Sequence, residues 1–305
     1  MSTDVCRDCA APLDVEYLDD HKPVGNSDTY EARTPVHDSS SGVSLGEGGT
    51  PCVHLKALGE NLGMRRLHGK LEFLNPTGSF KDRGSAVLTT MGRDLGVTEF
   101  VEDSSGNAGA SLSAYAAAAG LKPHVFAPDS AASGKLDQIQ VFGATLYRIE
   151  GPRQAATDAA EAFVAERGLV YMSHSLSPYF LEGMKAVSYE LVEVLYDEIE
   201  HVVLPVGNGA LLIGMVRGFQ ELVEAGVVGR MPKFHAVQSH AVRPLVAALT
   251  GEDWSHEDAV PTRLTTRRFR QLIETRDAGF GVSVGVAFAE GFVVTAPIVR
   301  PDVMK

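Results

Sequence analysis

Between residues 80 and 238, short apolar runs alternate with longer segments of helical period. Helices are predicted over 80–95, 108–119, 136–142, 154–167, 182–196 and 211–225. Strands are predicted over 99–102, 124–127, 146–149, 169–172, 202–206 and 234–238. Gly120 and Gly143 fall where two of the helices should close. This alternation implies an α/β fold with a parallel, doubly wound sheet. Residues 1–50 are loop-rich, with a polar run at 38–41. The pattern weakens from about residue 262, where TTRRFRQLIETRD fits a helix, and the tail AFAEGFVVTAPIVRPDVMK stops in mid-pattern.

A chain of 305 residues holds one large or two medium domains. Its 27 basic and 39 acidic side chains leave a net charge of -12. That balance speaks against nucleic acid as the main partner, because a phosphate backbone needs a basic footprint. It leaves room for one small phosphate held by a few local donors. The first ten residues carry Asp4, Arg7 and Asp8 and no apolar core, so no signal peptide is expected. The uncharged stretch 104–121 holds glycines and serines and reads as a buried helix, not a membrane span. Three cysteines cannot build a disulfide framework, and a cytoplasmic location is the expectation. Cys6 and Cys9 form a CxxC, but zinc needs four ligands. Cys52 is distant, His21 and His37 match no common knuckle, and no metal is expected.

Three blocks carry chemistry. The first is Asn75-Pro76-Thr77-Gly78-Ser79-Phe80-Lys81-Asp82-Arg83-Gly84, a tight turn leading into a helix. An ammonium at its usual pKa of about 10.4 is a poor nucleophile, and burial lowers that value. Apolar neighbours Leu74 and Phe80 therefore make Lys81 a candidate for Schiff-base chemistry. Residue type alone would allow a solvated lysine paired with Asp82.

The second block, Asp103-Ser104-Ser105-Gly106-Asn107-Ala108-Gly109, runs from a strand into a helix. Amides at a helix start, with serines and glycines, cradle an anion; a simple cap at Asn107 explains one residue of it. The third, Val206-Gly207-Asn208-Gly209-Ala210-Leu211, has the same setting. GxGxxG would need glycine where Leu212 stands, and a Walker A lysine is absent. The loop suits one phosphate monoester.

Together with Ser44-Leu45-Gly46-Glu47-Gly48-Gly49-Thr50-Pro51, these blocks resemble, in order and spacing, the fold-type II pyridoxal-phosphate enzymes, closest to threonine synthase-like proteins. The resemblance covers roughly residues 45–240. It implies two doubly wound, open parallel-sheet lobes of the tryptophan synthase β type, truncated at the C-terminus. The expected division is an extension at 1–45 with half a zinc ribbon at its CxxC. A larger cofactor-binding lobe follows from 46–80 and 173–305, with a smaller lobe from 81–172. Pyridoxal 5'-phosphate is the implied cofactor. Lys81 would bond it and serve as the catalytic base, and Asn107 would bond its ring hydroxyl. Gly207, Asn208, Gly209, Ala210 and Leu211 would hold its phosphate, while Ser104, Ser105 and Gly106 grip an amino-acid carboxylate. A serine or threonine facing the ring nitrogen is expected near the C-terminus, with Thr295 the nearest candidate. Family members are often homodimers.

The implied activity is a lyase reaction. It begins with α-proton removal and elimination, most closely the conversion of O-phosphohomoserine and water to threonine and phosphate. One departure favours a threonine or serine ammonia-lyase instead. Where threonine synthases often read NPYRLEGQK, this chain has Ser177 in place of asparagine and Phe180 in place of arginine. Losing an arginine weakens recognition of a dianion, unless Lys185 or the 104–107 loop compensates. A truncated relative without turnover is a further reading. GxSxG also occurs at 42–46 and 281–285, the pattern of a serine hydrolase elbow at Ser44 or Ser283.

Overall fold

The computed structural model describes residues 13–17, 34–36, 42–104, 106–238, 243–250, 283–285 and 292–295. The chain opens with β1 (Cys52–His54), α1 (Lys56–Leu62) and β2 (His68–Leu71). A 3-10 turn at Glu72–Leu74 then leads to α2 (Lys81–Asp94). Next come β3 (Glu99–Glu102), α3 (Asn107–Ala119), β4 (Lys122–Pro128), α4 (Ser133–Val141), β5 (Thr145–Ile149), α5 (Arg153–Arg167) and β6 (Val170–Tyr171). After them run α6 (Pro178–Met184), α7 (Ala186–Leu195), β7 (His201–Pro205), α8 (Ala210–Glu224), β8 (Lys233–Val237) and α9 (Pro244–Thr250). Two short strands, β9 (Ser283–Gly285) and β10 (Phe292–Thr295), complete the described elements.

Two sheets result. The smaller has the order β5-β4-β3-β6 and is parallel throughout. The larger has the order β1-β2-β10-β7-β8-β9. Its β7 and β8 are parallel, as the strand–helix alternation predicts, and β9 joins β8 in the same sense. Antiparallel pairings of β1 with β2, and of β10 with β2 and β7, make it mixed. Those strands lie outside 80–238, and the sequence HGKL of β2 carries no apolar run.

Helix α2 is buried along almost its whole length, polar residues included. It packs against α3 on one side and α6 on the other. Glycines set the α2–α6 approach. A Cβ on Gly183 would meet the Arg83 carbonyl oxygen at 2.1 Å, and one on Gly84 would meet the Phe180 ring at 2.7 Å. Helices this close admit no side chain at the crossing.

The helix predicted over 182–196 is two helices and begins earlier. Pro178 stands at the first position of α6, where its missing N–H costs nothing. At Lys185 the ladder tightens: the Ser188 amide bonds the Lys185 carbonyl at 2.9 Å, three residues back. The fully buried Lys185 ammonium pairs with Glu182 (2.5 Å) and Glu221 (2.8 Å).

Candidate active site

Lys81 is the first residue of α2, placed there by the turn in which the Gly78 amide bonds the Asn75 carbonyl at 2.8 Å. Its ammonium lies 4.8 Å from the Phe80 ring centre and 5.7 Å from that of Phe180. Burial against these rings pushes its pKa down to about 8, and the nearby Glu102 carboxylate opposes that shift only in part. Asp82 does not pair with it. The buried Asp82 carboxylate accepts from the Thr77 amide (2.7 Å) and the Ser111 hydroxyl (2.6 Å), which fixes the turn to α3. Lys81 is thereby left without a neutralising neighbour in its own motif.

The next residue, Arg83, is fully buried between two carboxylates. It donates to Glu72 through Nε (2.7 Å) and Nη2 (2.8 Å), and to Glu190 through Nη1 (2.5 Å) and Nη2 (2.9 Å). Lys70 supplies a second cation, 2.5 Å from Glu190. The 44–51 loop hangs on this network. The Gly48 amide bonds Asn75 (3.0 Å), the Gly49 amide bonds Glu190 (2.9 Å), and the Thr50 hydroxyl bonds Glu72 (2.6 Å). The two sequence blocks 44–51 and 75–84 are thus halves of one polar core.

Two helix starts supply amides. In α3 the residue before the helix is Gly106, and no side chain caps it. Asn107 is therefore the first helical residue and not the cap. The Ser104 hydroxyl accepts from the Gly106 amide at 3.3 Å. Asp103 turns away to Arg153 (3.0 Å) and Thr157 (2.6 Å). In α8, Gly209 precedes the helix with φ of 92°, a left-handed conformation that favours glycine. A Cβ on Gly106 or on Gly207 would meet nothing within 4 Å, so both loops face open space. Helix starts beside such space suit an anion.

The structure also brings in residues that the sequence does not single out. Buried Glu102, at the end of β3, accepts from His174 Nδ1 at 2.7 Å. His174 Nε2 lies 3.2 Å from the Ser175 hydroxyl, which accepts from Asn208 Nδ2 at 3.1 Å. Asn208 Oδ1 in turn accepts from the Ala210 amide at 3.2 Å. The Phe180 ring meets His174 edge-on at 6.0 Å as well as facing Lys81. These contacts link Lys81, the end of β3 and the 207–211 loop. Glu102 and His174 are 72 residues apart, so no local spacing announces the pair.

Several expectations change. Lys185, spent on Glu182 and Glu221, offers no donor to a ligand phosphate. Ser44 sits in a loop, bonded to Glu47 at 3.1 Å, and Ser283 begins a strand where an elbow needs to follow one. Thr295 lies on β10, with its backbone opposite Val202 and His68. Ser105, Cys6, Cys9, His21 and His37 lie outside the described residues. Among the described residues no cluster of three His, Cys, Asp or Glu could hold a metal, and no helix is long and apolar enough to cross a membrane.

A lysine of lowered pKa and two helix-start loops, on two α/β sheets, are the groups that a phosphorylated carbonyl cofactor would need. Residues 43–292 match the family described as pyridoxal-phosphate dependent enzyme. The chain belongs to that family, and pyridoxal phosphate is its cofactor. It is 38% identical over 221 residues to the threonine synthase of Methanocaldococcus jannaschii, covering 72% of this chain and 54% of that protein. It is 34% identical to the threonine synthase of Mycobacterium tuberculosis, covering 77% of this chain and 64% of that one. The match thus spans less than two thirds of either relative's length. Among solved structures, a fungal L-serine ammonia-lyase from Rhizomucor miehei aligns with a TM-score of 0.66 at 21% identity, covering 79% of this chain and 76% of its own.

Proposed function

We propose that the chain is a pyridoxal-phosphate-dependent lyase acting on an amino acid, and that its reaction is threonine synthase-like. In this reading O-phosphohomoserine and water give threonine and phosphate. The observation that carries the proposal is Lys81, a half-buried amine beside two aromatic rings with its pKa near 8. Bound there, pyridoxal phosphate supplies an electron sink for the substrate's α-carbon.

This chain's own residues supply the rest. Lys81 Nζ holds the cofactor at rest and takes the α-proton during turnover; at pH 7 about a tenth of such amines are neutral and fit to do so. Asn107 bonds the ring hydroxyl. Gly207, Asn208, Gly209, Ala210 and Leu211 receive the cofactor phosphate at the start of α8. Ser104, Ser105 and Gly106 orient the substrate carboxylate. Phe80 and Phe180 exclude water from the amine. The segments 46–80 and 173–305 form the larger lobe in this reading, and 81–172 the smaller; the substrate site lies between them.

One observation favours a second reading, ammonia-lyase action on threonine or serine. Phe180 is wholly buried against Lys81, and Lys185 is locked in ion pairs. Neither gives a donor to a substrate phosphate. Steady-state assays with O-phosphohomoserine and with threonine separate the two. Phosphate released from the first, with no 2-oxobutyrate from the second, supports the synthase; the reverse pattern establishes the ammonia-lyase. Inertness toward both, in a protein that retains cofactor, would leave a binding protein without turnover.

A further inference from the structure

Glu102, His174 and Ser175 have no part in the reaction just described, yet with Asn208 they form a hydrogen-bonded chain from β3 to the start of α8. Its hydrogen bonds have one consistent direction. His174 Nδ1–H donates to Glu102 (2.7 Å), and the His174 backbone amide donates to the same carboxylate (3.2 Å). In the neutral ring with its proton on Nδ1, Nε2 is an acceptor, and the Ser175 hydroxyl donates to it (3.2 Å). The Ser175 oxygen then accepts from Asn208 Nδ2 (3.1 Å), and Asn208 Oδ1 accepts from the Ala210 amide (3.2 Å). The Ala210 amide can only donate, which fixes Asn208 Oδ1 as its acceptor and turns Nδ2 to Ser175, so the Glu102–His174–Ser175 chain braces the far end of the Asn208 side chain.

That orientation matters for the loop. Gly207 and Gly209 allow many backbone shapes, and no side chain caps α8 through Gly209. Asn208 ties the loop to the 173–177 segment by its hydrogen bond to Ser175. An Asn208 amide free to rotate would release the Ala210 amide.

We infer that His174 and Ser175 are positioning residues that hold the 207–211 loop in its phosphate-receiving shape through Asn208. The inference rests on the reading of that loop as the cofactor-phosphate site. It assigns the two residues a role in binding the phosphate and none in bonding the aldehyde.

The test compares dissociation constants for pyridoxal phosphate and for pyridoxal, which lacks the phosphate, by equilibrium dialysis. Wild type, Ser175→Ala, His174→Leu and His174→Gln are measured, with far-UV circular dichroism confirming that each is folded. Ser175→Ala removes one oxygen from a half-buried site and is the least disruptive. A preference of wild type for pyridoxal phosphate that falls about tenfold in Ser175→Ala and His174→Leu is expected. One lost hydrogen bond in a charged network is of that order. Glutamine can still donate to Glu102 and accept from Ser175, so His174→Gln should stay within about threefold of wild type.

Equal weakening for both ligands, with the preference intact, overturns the inference and leaves the chain a structural brace. A wild type without preference for the phosphorylated ligand overturns the loop's reading first, and the inference with it.

Discussion

Arg83 and Glu190 meet tooth to tooth, Nη1 to Oε1 at 2.5 Å and Nη2 to Oε2 at 2.9 Å, beneath the loop that carries Gly49. Burial alone would raise the Glu190 pKa, but Arg83 and then Lys70 hold it down at about 2. A carboxyl depressed in the folded state adds stability above its unfolded pKa of about 4.3. That stability should vanish as the pH falls from about 4.5 toward 2, an effect on the order of 3 kcal/mol. Thermal unfolding followed from pH 7 to pH 3 checks this. Glu190→Gln should be less stable by about 3–5 kcal/mol at pH 7, because Arg83 and Lys70 lose a shared partner. It should also show a shallower acid limb; an unchanged limb removes Glu190 as its source.

Lys81 predicts a pH profile for cofactor capture. With a pKa near 8, the neutral amine rises about tenfold between pH 7 and pH 9 and then levels off. The initial rate of pyridoxal phosphate uptake should follow that curve. Glu102 raises the Lys81 pKa, so Glu102→Gln should move the midpoint to lower pH. A midpoint near 10 in wild type contradicts the burial of this amine.

The α2–α6 crossing predicts intolerance at Gly183. An added methyl would lie 2.1 Å from the Arg83 carbonyl oxygen, a backbone atom that cannot step aside. Gly183→Ala should cost about 1–3 kcal/mol or more in chemical denaturation and loosen cofactor binding, since Arg83 adjoins Lys81 two residues away on α2. The comparison is Gly134→Ala, where a Cβ meets nothing within 4 Å. Equal stability of the two variants contradicts the close approach.

Phe180 predicts a coupled effect. Replacing it with alanine removes a ring wholly buried between Lys81 and His174. A loss of about 3–5 kcal/mol is expected from the cavity. Admitted water should raise the Lys81 pKa toward its ordinary value. Titration of cofactor uptake in this variant should give a midpoint above pH 8; an unmoved midpoint means other groups desolvate the lysine.

The parallel alternation was legible because each strand and helix between residues 80 and 238 carries its own period. Lys81 and both glycine-bearing loops were legible for a similar reason, since each is a short contiguous string. The antiparallel strands were not, because β1 has three residues and β2 is held by pairing, not by an apolar run. The break at Lys185 was not legible, because no proline stands between α6 and α7 to mark it. Glu102, His174 and Glu190 were missed likewise: a histidine after a strand, or a glutamate in a helix, says nothing until a distant partner closes on it. The 44–51 and 75–84 strings were visible as motifs, but that Arg83, Glu72 and Glu190 stitch them together is a property of the folded chain alone.

The central claim is that Lys81 holds the cofactor. The protein is incubated with pyridoxal phosphate, desalted and read by absorbance beside Lys81→Ala. A cofactor chromophore retained by wild type and lost in the variant, with both proteins folded, is the predicted result. A chromophore that survives in Lys81→Ala, or none in wild type, would contradict it.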